Sequence, residues 1–100
     1  MRGVRDRRTI AVADQRDRHR YLVTVDGEEA GAAYYALLDG VVVFTHTVVD
    51  DRWEGQGIGS ELARGALDDV VGGGRKFAPH CPFIAAWVRK HPEYESSAVD

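Results

Sequence analysis

The sequence holds one cysteine, Cys81, in 100 residues. A lone cysteine cannot close an internal disulfide, and it cannot build a structural zinc site without several histidines in step. The four histidines, His19, His46, His80 and His91, show no HxxxH or comparable spacing, so no metal site is expected. No apolar run approaches the roughly 18 residues that span a bilayer. The N-terminal arginines are followed by no apolar segment of the kind a secretory signal needs. The expectation that remains is a cytoplasmic protein of one domain over residues 1–100. A chain this short can bury one core with little to spare.

Charge is spread unevenly. Residues 1–20 hold seven arginines against three aspartates, and the remainder holds six basic residues against thirteen acidic ones. An arginine-rich start raises the question of nucleic acid. Asp6, Asp14 and Asp17 interrupt it, and no aromatic stacking residue lies among the arginines. A solvated arm over residues 1–8 is the plainer expectation. The acidic body suits a cationic partner such as an amine or a lysine side chain.

Residues 9–13 can form a short strand, followed by a polar loop over residues 14–18. Residues 21–25 are rich in β-branched and aromatic side chains, and Asp26-Gly27 after them is a strong hairpin signal. The return strand covers residues 29–38. Asp39-Gly40 is a second turn of the same kind, and residues 41–49 form a long strand of high β-propensity. That strand is expected to be central and covered on at least one face. The period then changes. Ile58, Leu62, Ala63, Ala66, Leu67, Val70 and Val71 recur at helical spacing until Gly72-Gly73-Gly74. Lys76-Phe77-Ala78-Pro79 reads as a short strand, with proline favouring an edge or strand end. Residues 83–90 read as a second helix with Phe83, Trp87, Ile84 and Val88 inward, stopped by His91-Pro92. The polar tail from residue 93, above all residues 95–100, is expected to be loose. The order is a β-meander, then glycine-rich loop–helix–strand–helix. It defines an α/β chain with a mixed, mostly antiparallel sheet, its one parallel pair made by a right-handed crossover.

Glu54-Gly55-Gln56-Gly57-Ile58-Gly59-Ser60 lies between the long strand and the first helix. Its three alternate glycines remove Cβ atoms where a ligand must approach the backbone. The helix behind it offers unpaired N–H groups and a positive dipole end. Together they make an anion site suited to a pyrophosphate, with Ser60 and Gln56 as further donors. The loop is not a Walker A sequence, which needs Lys-Ser/Thr at its end. It is not a Rossmann fingerprint, because the chain opens with a meander. A tight turn with no ligand is the alternative.

The loop resembles the acyl-CoA pyrophosphate loop of the GNAT (N-acetyltransferase) superfamily, Arg/Gln-x-x-Gly-x-Gly/Ala. Gly57 and Gly59 match its small positions, and Glu54 departs from it where Arg or Gln is usual. The chain is similar to a compact, YjdJ-type branch of about 100 residues. The resemblance runs over residues 20–94 through Phe44-Thr45-His46-Thr47-Val48, the loop itself, Ala66-Leu67-Asp68, Pro79-His80-Cys81-Pro82-Phe83 and Arg89-Lys90-His91-Pro92. It implies a compact GNAT-like mixed sheet that splays apart between the long strand and the strand after the first helix. Acetyl-CoA would be the cosubstrate, its pantetheine pairing with backbone at Thr47, Val48 and Val49 as an added strand would. This branch lacks the two helices that help larger relatives form an acceptor site, so the acceptor is unidentified.

Acetyl transfer to an amine needs a proton acceptor, a donor to the carbonyl oxyanion and an acid for the departing thiolate. Cys81 precedes a helix, where a thiol pKa can fall, and the resemblance sets it near the thioester; it reads either as a nucleophile or as a packing residue. His46 reads as a general base or as a core histidine, and strict alternation would put it on the face of Phe44 and Val48. His80 should face away from Cys81. Tyr34, Tyr35 and Tyr94 are possible acids that also read as packing residues, and Trp53 reads as an anchor for the turn. The functional expectation is an N-acetyltransferase acting on a small amine or a protein lysine. Its rivals are an acyl-CoA-binding module with little activity, acting as a sensor or partner, and an unrelated nucleotide or phosphate binder.

Overall fold

A computed structural model describes residues 8–99. The arm expected over residues 1–8 lies, apart from Arg8, outside the described residues. Strands β1 (Ile10–Gln15), β2 (Arg20–Val25), β3 (Glu28–Leu38) and β4 (Val41–Val49) form an antiparallel meander. Helix α1 (Ile58–Gly72) crosses back to β5 (Lys76–Pro79), which pairs parallel with β4, and α2 (Pro82–Arg89) follows. The sheet order is β1-β2-β3-β4-β5. This is the mixed, mostly antiparallel sheet of the expected α/β class.

Both hairpins turn where Asp-Gly pairs stand. Asp26 and Gly27 have φ of 51° and 83°, and Asp39 and Gly40 have 52° and 78°. Positive φ at both central residues gives the turn whose twist matches the strands it joins. The β1–β2 connection is tighter than a polar loop: Arg16–Arg18 forms a 3-10 turn that ends on left-handed His19.

Helix α1 buries Ile58, Leu62, Ala63, Ala66, Leu67 and Val70. They join one cluster with Tyr21, Val23, Tyr35, Phe44 and Phe77 of the sheet and with Ile84, Trp87 and Val88 of α2. Three phenols tie this core to acidic residues at its rim. Tyr21 donates to Asp69 (2.7 Å), Tyr35 to Asp14 (2.6 Å) and Tyr94 to Asp68 (2.5 Å).

Strand β4 lies between β3 and β5, central as expected; it is buried over Val42, Val43 and Phe44 and half to fully exposed beyond them. Its partner β5 reaches only Phe44, and no second strand flanks the rest on that side among the described residues. Two expectations are corrected. The segment expected to be a loose tail instead forms a 3-10 helix over Pro92–Ser97, with Tyr94 buried. The Val99 N–H donates to the Phe77 carbonyl (2.7 Å), extending the sheet edge. Phe83 is not inward with Trp87: it is 42% exposed.

β3 and β4 approach each other closely at Gly31. A Cβ there would lie 2.5 Å from the Val48 carbonyl oxygen, a backbone atom that cannot swing aside. Gly31→Ala is expected to cost about 1–3 kcal/mol, read as a lower urea midpoint. A second prediction concerns pH. Burial first, then the hydrogen bond to Asp14, pushes the Tyr35 phenol up to about 12. An unfolded phenol titrates near 10. The fold therefore favours the protonated form. Its contribution is full below about pH 10 and is lost as pH rises toward about 12. Urea unfolding over that range should show the decline, and Tyr35→Phe should reduce it.

Candidate functional site

The site begins where β4 ends. Asp50 accepts from the Arg52 N–H (3.0 Å) and starts a 3-10 turn over Asp51–Trp53. The chain then passes Gly55 at φ 78° and Gly57 at φ 77°. Gly57 is the N-cap of α1, and no side chain caps the helix. The N–H groups of the first turn thus lack partners within the helix, and they point with the positive dipole end toward the loop. Space above the loop is open, since a Cβ on Gly55 or Gly57 would meet nothing within 4 Å. Glu54, the departure from the usual loop, is exposed.

Side chains of the loop hold its shape. Gln56 donates to the Arg52 carbonyl (3.2 Å) and accepts from Arg8. Its amide is engaged at both ends, unlike the free donor expected. Ser60 accepts from the Trp87 indole N–H (2.8 Å), which ties α2 to the first turn of α1. Phe83 lies over Gly59, where a Cβ would come within 2.9 Å of its ring. Trp53 is half-buried against the core as the expected anchor, with the Arg52 guanidinium 5.0 Å from its ring centre. Its buried indole N–H has no partner among the described residues.

A cleft opens beside the loop. β4 and β5 pair only from Val41↔Lys76 to Phe44↔Pro79. Pro79 has no N–H to continue the ladder, and the Cys81 N–H makes a last tie to the Phe44 carbonyl (2.8 Å). Residues 45–49 of β4 then run on with no strand on that side among the described residues, toward the loop. Thr47 is half-buried, Val48 is 53% exposed and Val49 packs against the core.

Cys81 caps α2 beside this edge and is 2% exposed. Its Sγ lies 3.3 Å from Thr47 Oγ1. His46 is elsewhere. The β3–β4 pairing runs Tyr35↔Phe44 and then Tyr34↔His46, so Thr45 is an unpaired bulge residue. A bulge interrupts side-chain alternation. Phe44 stays in the core, while His46 turns to the opposite face and stacks on Tyr34 at 4.5 Å. The expectation that His46 shares a face with Phe44 is therefore corrected. Cys81 and His46 lie on opposite sides of the sheet, and no nucleophile–base pair forms between them. His80 is exposed, whereas its neighbour Cys81 is buried. The Tyr35 and Tyr94 hydroxyls donate hydrogen bonds to Asp14 and Asp68, and burial raises the pKa of both phenols. Tyr34 is half-buried on the open face, its hydroxyl accepting from Arg20 (3.3 Å).

Two open cavities lie away from the loop. The larger, about 580 Å³, is lined by Asp14, Arg16, Tyr35, Asp68, Asp69 and Arg75 at the C-terminal end of α1. A 15-residue helix separates it from the loop, a distance of roughly 20 Å. Its three carboxylates outnumber its two arginines, which pair with Asp14 and Asp69, and the negative helix end further disfavours a pyrophosphate there. The smaller, about 230 Å³, is on the uncovered sheet face around Leu22, Ala32, Tyr34 and Val48. No group of three or more metal-ligating side chains gathers among the described residues. No described helix is long and apolar enough to cross a membrane.

A helix end with glycine at its N-cap thus stands at the mouth of a splayed parallel strand pair in an α/β fold. A family model for GCN5-related N-acetyl-transferase matches residues 20–97, and the chain belongs to that family. It is similar to Protein NATD1 of Gallus gallus and of Homo sapiens, each 33% identical over 85 residues. That is 83% of this chain, and 77% and 75% of the two relatives. Protein NATD1 of Xenopus tropicalis is 31% identical over 86 residues, 84% of this chain and 79% of the relative.

Sequence reasoning missed the Thr45 bulge, the Phe83–Gly59 contact and the Trp87–Ser60 hydrogen bond. Only the last left a signal: an indole on an inward helix face must find an acceptor when buried. Ser60→Ala removes that acceptor. It should cost about 1–3 kcal/mol in urea unfolding, because Trp87 is then left buried and unpaired.

Proposed function

We propose that the chain binds acetyl-CoA and transfers its acetyl group to an amine, either a small molecule or a protein lysine, in the cytoplasm. One observation carries this reading: the edge of β4 beyond Phe44, without a strand partner on that side among the described residues, leads through one 3-10 turn and two left-handed glycines to a helix N-terminus that no side chain caps. The pyrophosphate would rest on the backbone at Glu54, Gly55, Gln56, Gly57, Ile58, Gly59 and Ser60. The pantetheine amides would pair with Thr47, Val48 and Val49. The thioester would then reach the start of the splay, where Thr47 touches Cys81. There the amine nitrogen attacks the thioester carbonyl, the C–S bond breaks, the thiolate leaves and the amine gives up a proton. Cys81 is the candidate group beside the thioester, as acetyl acceptor or as a neighbour of the leaving sulfur. His46 is the candidate proton acceptor, approached from the uncovered face.

A second reading is favoured by one specific observation. The buried thiol and the exposed imidazole lie on opposite sides of the sheet. A module that holds acyl-CoA for a partner, with little turnover of its own, needs the loop and the open edge but no such pair.

Calorimetric titration tests what both readings share. Saturable binding of acetyl-CoA that ADP does not match supports the site; no binding at millimolar acetyl-CoA contradicts both readings. Gly57→Val puts a β-branched residue at φ 77° and a side chain in the ligand's approach. It should weaken binding by more than about tenfold, and unchanged affinity in the folded variant would remove the loop from the account. With an amine panel, acceptor-dependent CoA release marks the enzyme, and binding without release marks the module. Full activity in Cys81→Ala would rule out transfer through the thiol.

A further inference from the structure

We propose that Arg64, held by Trp87 and flanked by His91, is the group that recognises the 3′-phosphate of CoA. The inference rests on the acyl-CoA reading and deepens it. The pantetheine arm and the phosphoadenosine arm leave the pyrophosphate at opposite ends. With pantetheine along β4, the adenosine end would leave on the far side of the loop, where Trp87 of α2 is tied to Ser60 in the first turn of α1. Ser60 belongs to the anion loop, and Arg64 stands four residues on, on the same helix face and about 6 Å along the axis.

The surroundings of Arg64 leave its charge available. Its own i+4 carboxylate, Asp68, is taken by the Tyr94 hydroxyl at 2.5 Å. Glu61, three residues before it, is exposed, and Arg64 forms no ion pair among the described residues. The guanidinium instead lies 5.3 Å from the centre of the Trp87 ring. Trp87 is in turn fixed from two sides. Its indole N–H donates to Ser60 Oγ at 2.8 Å, and the His91 ring stacks on it at 3.7 Å. His91 Nδ1 is 2.7 Å from the Trp87 carbonyl oxygen, so Nδ1 carries the donated proton and Nε2 faces away from that bond. One hydrogen bond therefore sets the spacing between the anion loop and a cation resting on an aromatic plane. A guanidinium in that setting presents several N–H donors to a phosphate monoester and can share them bidentately. An arginine without that aromatic contact would have no such fixed distance from Ser60.

The test compares CoA with dephospho-CoA, which differ only in the 3′-phosphate, by calorimetric titration of the full chain and of Arg64→Gln. Arg64 is exposed, so the variant should fold, which far-UV circular dichroism checks. Wild type should bind CoA roughly tenfold more tightly than dephospho-CoA. Arg64→Gln should bind both with the wild-type affinity for dephospho-CoA. Adenosine 3′,5′-bisphosphate should compete with CoA in wild type and lose that ability in the variant. Equal wild-type affinity for the two nucleotides would overturn the inference, and so would an equal loss of both in Arg64→Gln. Either result leaves the acyl-CoA reading standing. Failure of wild type to bind either nucleotide would overturn both.

Discussion

The parallel pairing of β4 with β5 lasts for four residue pairs and then stops. Everything proposed for the site depends on that early ending. Pro79 removes the N–H that would continue the ladder. The chain then bends so that the Cys81 N–H, and not a further strand residue, reaches the Phe44 carbonyl. On the β4 side, the bulge at Thr45 breaks the register against β3 at the same level. The two strands part, and the outer edge of residues 45–49 keeps its backbone groups for something other than the sheet. Such an edge is a liability unless it is covered or used. Here it runs directly into the glycine loop at the head of α1.

The loop and the edge are held in relation to each other by side chains that do not belong to either. Trp87 on α2 donates to Ser60 on α1. Phe83, on the same helix, lies over Gly59. Cys81, at the start of that helix, touches Thr47 on β4. One short helix thus contacts the anion loop, the strand edge and the start of the splay. The polar ties at the far end of α1 serve another purpose. Tyr21, Tyr35 and Tyr94 pin the sheet and the tail to Asp69, Asp14 and Asp68, closing the core of a small chain where few apolar residues remain.

Most of the fold was readable from local signals. Asp26-Gly27 and Asp39-Gly40 fixed both hairpins, because positive φ at a turn selects these residues strongly. The change from period two to period 3.6 after Trp53 located α1, and Gly72-Gly73-Gly74 its end. Non-local features were not readable. The Thr45 bulge arises from the β3–β4 register, and a single strand read alone alternates without interruption, which is why His46 was expected on the wrong face. The tail looked polar and loose because its one buried anchor, Tyr94, is recognisable only beside Asp68. The loop was legible by its glycines, whereas the Arg64–Trp87–His91 cluster joins α1, α2 and the residue before Pro92 and has no signature in any one of them.

The central claim is that the glycine loop and the free edge of β4 form one ligand site. The most direct measurement is an amide chemical-shift titration of the isotope-labelled protein with acetyl-CoA. The account predicts the largest changes at Gly57, Ile58, Gly59 and Ser60, together with Thr47, Val48 and Val49. Changes centred on Asp14, Asp69 and Arg75, with the loop amides unmoved, would place the ligand in the larger cavity at the other end of α1 and contradict it.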